Sequence, residues 1–267
     1  MIPYRIWGDE PRSVVVIHGG PGAPGEMGPV ARELSAIRGV FEPFQTATSV
    51  PGQVGELAAH LQEQTTLPVI LIGFSWGAML SLLFAAQYPT TVKKLVLIDS
   101  GPLDPAFADK ILETRLNRLP HEKRTEVLAL MKGLNDPSIL PDASLLARFG
   151  ELISQADSVD PIPDEPSDLN LRLMITVHRQ VWEEAAALRA SGYFVEKIRS
   201  ITCPVVVIHG ASDPHPVQGV VEPFTKAGVD LSIHILPACG HTPWKERQAR
   251  DQFFDLLKRE IEEPGRR

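Results

Sequence analysis

Ser75 lies in Gly73-Phe74-Ser75-Trp76-Gly77, between the apolar runs Pro68–Ile72 and Ala78–Ala86. Two apolar runs joined by a turn bounded by small residues read as strand, sharp turn and helix. Glycines at 73 and 77 let strand and helix approach closely. The turn then leaves a serine hydroxyl exposed above the strand end, with a helix N-terminus behind it. That is the placement of an acyl-transfer nucleophile. The competing reading is a serine that only caps its helix.

His18-Gly19-Gly20-Pro21-Gly22 follows the apolar run Ser13–Ile17, which reads as a buried parallel strand. A stiff, glycine-rich loop can aim a bare amide at charge developing on a carbonyl oxygen. Gly20 is the expected donor, and the amide of Trp76 the second. The loop has neither the G-x-x-x-x-G-K-[ST] spacing of a phosphate loop nor the G-x-G-x-x-G of a dinucleotide site. His18 is expected to hold the loop through its ring nitrogens.

An acid and a histidine complete the chemistry. Pro204–Gly210 reads as a buried strand, and Asp213 lies in the loop after it. Leu231–Leu236 reads as another, followed by Pro237-Ala238-Cys239-Gly240-His241. Ser75, Asp213 and His241 thus each fall just after a strand, the edge where α/β sheets place their chemistry. Asp99, which also ends a strand, is the alternative acid. His209 reads as a structural strand-end residue, Trp244 as packing, and Cys239 as a packed thiol. His215, between Pro214 and Pro216, either lines the pocket or stiffens the turn.

With these residues in view, the chain resembles the α/β-hydrolase superfamily over nearly its whole length except a middle insertion. The resemblance implies that Ser75 attacks a carbonyl, that His241 takes and returns the proton, and that Asp213 orients the imidazole and stabilises the imidazolium. His18–Gly22 together with Trp76 looks most like the proline iminopeptidase branch. Phe74 stands where that branch usually carries a second glycine. Proline iminopeptidases hold a free amine with carboxylates from an inserted cap. Glu183 and Glu184, after Trp182 on a long helical pattern, are the candidates here. Adjacent helical residues cannot face the same way, and both also read as solvated surface.

The expected architecture is a mostly parallel sheet flanked by helices, with an inserted all-helical cap. Strand and helix patterns alternate to about Ser100, with a strand over Lys93–Asp99 broken by Gly101-Pro102. Helical patterns then run over Lys110–Leu119, Glu122–Leu134, Ser144–Ala156 and Leu169–Ala190, separated by Pro and Asp clusters such as 157–166. Residues 1–101 and 201–267 are expected to form the core and 102–200 the cap. The bland alternative is a loose insertion remote from the site. Phe253, Leu257 and Ile261 give the last helix, about Thr242–Glu263, an apolar face for the sheet. The tail 264–267 reads as frayed.

At 267 residues and 43 % hydrophobic content, the chain can bury one large core and a small subdomain. A net charge of −7 without a basic stripe argues against nucleic-acid binding. No apolar run reaches the roughly 18 residues of a membrane span, and the start lacks a signal-peptide pattern. Two cysteines, Cys203 and Cys239, imply no disulfide framework and fit a reducing cytoplasm. No metal-ligand spacing or cofactor motif appears; the expected partner is a small-molecule substrate. Three readings stay open: a serine hydrolase of esters or related acyl compounds, an aminopeptidase, and a non-catalytic binding protein on the same fold.

Overall fold

The computed structural model describes residues 3–135, 143–163 and 175–262. The chain enters through β1 (Tyr4–Trp7) and β2 (Arg12–Ile17). It continues through α1 (Gly28–Leu34), β3 (Gly39–Pro43), α2 (Val50–Gln64), β4 (Val69–Phe74), α3 (Trp76–Gln87) and β5 (Val92–Ile98). Helices α4 (Asp109–Arg118), α5 (His121–Asn135), α6 (Ala143–Asp157), α7 (Ile175–Ala190) and α8 (Tyr193–Ile198) follow before the next strand. Alternation resumes with β6 (Val205–Gly210), α9 (Gln218–Ala227), β7 (Leu231–Leu236) and α10 (Arg250–Glu262).

The described residues form seven strands, ordered β1-β3-β2-β4-β5-β6-β7. Among these described strands only the β1–β3 pair is antiparallel. Strands β4 and β6 are buried at every residue, as continuous apolar runs of a sheet covered on both faces must be. Alternate side chains feed two cores. Val15, Ile17, Leu71, Leu97 and Val207 pack with α2, α3, α8 and α9 on one face. Val14, Val16, Ile70, Ile72, Val96 and Val206 pack with α1 and α10 on the other. No helix among the described residues is long and apolar enough to cross a membrane.

Several elements differ from the sequence expectation. The pattern does not single out β1 and β3, which are short and carry charge: Glu42 is buried on β3, with Arg5 at 3.8 Å and the Trp7 indole N–H at 3.0 Å. The last helix starts at Arg250, not near Thr242. Pro243–Lys245 is a separate 3₁₀ turn, and Glu246 is extended and buried, with its side chain serving other loops. Leu169–Met174, the start of the fourth helical pattern, and residues 264–267 lie outside the described residues. Helix α8, packed into the main core through Phe194 and Ile198, is an addition.

Candidate active site

Ser75 occupies the turn between β4 and α3 with φ 51° and ψ −113°, a conformation that L side chains seldom adopt. Close approach forces it. A Cβ on Gly73 would collide with the Gly77 carbonyl, and one on Gly77 with the carbonyls of Ile17 and His18. The Ser75 side chain makes no capping hydrogen bond to its helix, so the capping role is not what it does. Its Oγ lies 3.1 Å from His241 Nε2.

His241 lies in the loop after β7, and its Nδ1 donates to Asp213 Oδ2 at 2.8 Å. Asp213, in the loop after β6, has a side chain fully shielded from solvent. Burial pushes its pKa up, but the neighbouring His241 and His215 outweigh burial and hold it well below the usual carboxylate range. Burial likewise disfavours charged His241, yet the Asp213 charge and hydrogen bond leave its pKa raised. Asp99 does not meet His241. Its Oδ1 accepts the Gly210 N–H at 2.8 Å, and burial, then the Asp213 charge, lift its pKa well above the ordinary value.

The glycine loop and the α3 N-terminus meet at the same edge, because Gly77 lies against the end of β2. Gly20, with φ 30°, is in that loop, and its carbonyl accepts the Ala23 N–H at 3.1 Å. Trp76 is the first residue of α3, so its N–H has no partner from the i→i−4 ladder. Its indole donates to Gln53 Oε1 at 3.0 Å. Buried His18 donates Nδ1–H to Gly19 O at 2.7 Å, and desolvation lowers its pKa to about 4. His178 of α7 donates to Pro21 O at 3.1 Å.

The remaining predicted residues separate. Glu184 accepts the Val50 N–H, the first amide of α2, at 2.6 Å. It also lines a cavity of about 240 Å³ between α2, α3, α7 and α8 that none of Ser75, Asp213 and His241 enters. Glu183 is exposed. His215 is buried beside Asp213 and His241: its Nδ1 lies 2.7 Å from Asp213 Oδ1, and its ring centroid 4.4 Å from that of His241. Cys239 is buried, with its thiol pKa pushed up first by desolvation. His209 donates Nε2–H to His215 O at 2.8 Å. Asp213, His215 and His241 bring ligand-type atoms within 4.8 Å of one another, as do Asp99, His209 and Asp213. The facing Nδ1 atoms of His215 and His241 are already spent on Asp213.

Sequence reasoning missed four residues. Phe74 packs at 4.9 Å from the His241 ring and 4.7 Å from Trp244, filling the space a glycine would leave. Arg115 of α4 pairs with Asp157 at the end of α6 through two bonds of 2.7 Å. Asp157 O accepts the His241 N–H at 2.8 Å. Glu246 accepts from Val159 (2.9 Å), Asp160 (2.8 Å) and Gly240 (3.1 Å). The segment after Asp157, read from sequence as a spacer between helices, is therefore stitched to the His241 loop.

Residues 14–256 match the model of the alpha/beta hydrolase family, and the chain belongs to that family. A proline iminopeptidase of Lactobacillus crispatus is 23 % identical over an alignment of 290 residues, covering 97 % of this chain and 94 % of that protein. A 2-(acetamidomethylene)succinate hydrolase of Mesorhizobium japonicum is 23 % identical over 204 residues, covering 76 % of this chain and 68 % of that protein. The solved proline iminopeptidase of Mycobacterium smegmatis superposes with a TM-score of 0.62 at 17 % identity, covering 97 % of this chain and 93 % of that one. At such identity the structural likeness speaks for the fold.

Proposed function

We propose that this alpha/beta hydrolase is a serine hydrolase that cleaves a small ester, lactone or amide through an acyl-enzyme. Ser75 Oγ adds to the substrate carbonyl while His241 Nε2 takes the hydroxyl proton. The tetrahedral oxyanion is held by the amides of Gly20 and Trp76. The bond to the leaving group then breaks, and the proton on His241 goes to the departing alcohol or amine. Water, deprotonated by His241, attacks the acyl-enzyme and restores Ser75. Asp213 keeps Nδ1 of His241 protonated so that Nε2 faces the serine. Residues 102–200 act as a cap at the reacting edge, with α4–α6 closing on their own cluster and α7–α8 rooting the insertion in the main core.

The observation that carries this reading is the continuous relay Asp213–His241–Ser75, with links of 2.8 and 3.1 Å. A fluorophosphonate probe tests it: the wild type takes one label on Ser75, and Ser75→Ala takes none. Absence of wild-type labelling would point instead to a binding protein on the same fold.

An aminopeptidase acting on N-terminal proline is the second reading, favoured by the Gly-rich loop and by the iminopeptidases among its relatives. It requires a carboxylate for the substrate ammonium. The engagement of Glu184 with Val50 and the exposure of Glu183 speak against either acid in that part. p-Nitrophenyl esters assayed beside Pro- and Ala-p-nitroanilide separate the two readings.

A further inference from the structure

His215 is a second histidine on the same carboxylate as His241, and the serine-hydrolase reading gives it nothing to do. Asp213 Oδ1 accepts both the backbone N–H of His215, at 2.9 Å, and its ring at Nδ1, at 2.7 Å; Oδ2 accepts His241. On its far side, His215 Nε2 lies 3.4 Å from Arg115 Nη2. Guanidinium only donates, so Nε2 must present its lone pair and the ring proton must sit on Nδ1, facing Asp213. The two contacts select the same tautomer. Arg115 is in turn fixed by Asp157, whose carbonyl holds the His241 amide.

We propose that His215 is a positioning residue, a bridge through which α4 and α6 fix the acid of the site and set how strongly it holds His241. The proposal rests on the serine-hydrolase reading above. The physical effect is competition for one carboxylate. A donor on Oδ1 draws electron density from Oδ2, so Asp213 stabilises the His241 imidazolium less than it otherwise would. Desolvation, reinforced by His241 and Arg115 against the pull of Asp213, holds the His215 pKa at about 4, so its ring stays neutral while His241 titrates. The groups around His215 are Asp213, on its ring from the loop after β6, His209 of β6, on its backbone carbonyl, His241 from the loop after β7, and Arg115, itself held by Asp157, from the insertion. Asp99, just after β5, stands next in line, acting on Asp213.

The test compares the wild type with His215→Phe and His215→Asn, measuring the rate of fluorophosphonate labelling against pH and normalising to final label stoichiometry. Phe keeps the ring packing and removes the donor; Asn restores an N–H near the Nδ1 position. Loss of the donor should raise the His241 pKa, moving the acid limb of the His215→Phe profile upward by about half to one pH unit. Labelling near pH 6 should slow about 3- to 10-fold. His215→Asn should return the limb to within about 0.3 unit of wild type. A role in folding alone would reduce the labelled fraction without moving the limb, and an unmoved limb in His215→Phe overturns the proposal. A second measurement on the wild type is independent of activity and of variant folding: side-chain ¹⁵N-histidine NMR. His215 should appear as the Nδ1–H tautomer, neutral down to about pH 5. The Nε2–H tautomer, or titration near the ordinary histidine value, overturns the proposal even if Ser75 labels normally. Failure of Ser75 to label, with the NMR result as expected, instead removes the serine-hydrolase reading.

Discussion

The helices between β5 and β6 fall into two unlike halves. Helices α4–α6 close on a small apolar cluster of their own, Leu119, Val127, Leu152 and Ala156. They reach the site through polar links: Arg115, Asp157, and the Val159 and Asp160 amides on Glu246. Helices α7–α8 instead sink Val177, Val181, Ala185, Phe194 and Ile198 into the main core beside α3. The difference separates two ways of holding a site. Apolar burial is strong and tolerant of direction, whereas hydrogen bonds are weaker but fix angles. Changes in the first half should therefore show in catalysis, and changes in the second in stability.

The largest expected effect belongs to neither half and calibrates both. Ser75→Ala should lower turnover by about 10⁴- to 10⁶-fold and leave the thermal midpoint near wild type. Retention of about a tenth of the activity would remove Ser75 from its role, and with it the meaning of any catalytic effect in α4–α6.

Next comes the apolar half. Phe194 is 0 % exposed, and Phe194→Ala should cost about 3–5 kcal/mol of unfolding free energy, through lost burial and the cavity left behind. Denaturant titration measures it. Turnover per folded molecule should stay within about twofold, and a drop of tenfold would erase the contrast between the halves.

Where the polar half ties to the core, at Glu246 beyond β7, Glu246→Gln replaces one acceptor oxygen with a donor facing backbone N–H groups. One or two of its three contacts are lost while the side-chain volume is kept. The stability cost should be about 1–3 kcal/mol. The distinguishing result is a fall in kcat of about tenfold with KM little changed, because the Gly240–His241 loop loosens and displacements near 1 Å are costly at a reacting centre. Equal kcat with lower stability would make Glu246 a purely structural tie.

What could be read from the sequence follows the same division. Strands β2, β4, β5 and β6 are legible because burial on both faces demands unbroken apolar runs. The positions of Ser75 and Asp213 are legible because each follows such a run, and that of His241 because it follows the half-exposed strand β7. Arg115, Asp157 and Glu246 were not. A charged residue on a helix or in a loop has the same local pattern whether it meets water or a partner many positions away, and Arg115 meets Asp157 across 42 residues. Phe74 looked like a departure from a glycine pattern, and only the His241 and Trp244 rings explain it. The break before Arg250 was hidden because Pro243 and Trp244 suit a helix start, while what ends the turn is the tertiary engagement of Glu246.

The smallest expected effect lies on α7, where the sequence placed the amine-binding acids. Glu183 is exposed, so Glu183→Gln should change neither stability nor the kinetics of any substrate beyond error. Glu184 is different in kind: its carboxylate sits on the first amide of α2, where negative charge is favoured by the helix N-terminus. Glu184→Gln keeps an acceptor oxygen but removes the charge, and should cost about 0.3–1 kcal/mol of stability. KM for Pro-p-nitroanilide, if that substrate is cleaved at all, should not move relative to KM for a p-nitrophenyl ester. An ammonium held by a desolvated carboxylate would behave otherwise, because loss of that partner costs about 2–5 kcal/mol and falls on the amine substrate alone. A selective rise in KM of tenfold or more for the anilide would therefore restore an acid of α7 to the site. It would also make this half of the insertion a specificity element rather than a piece of the core.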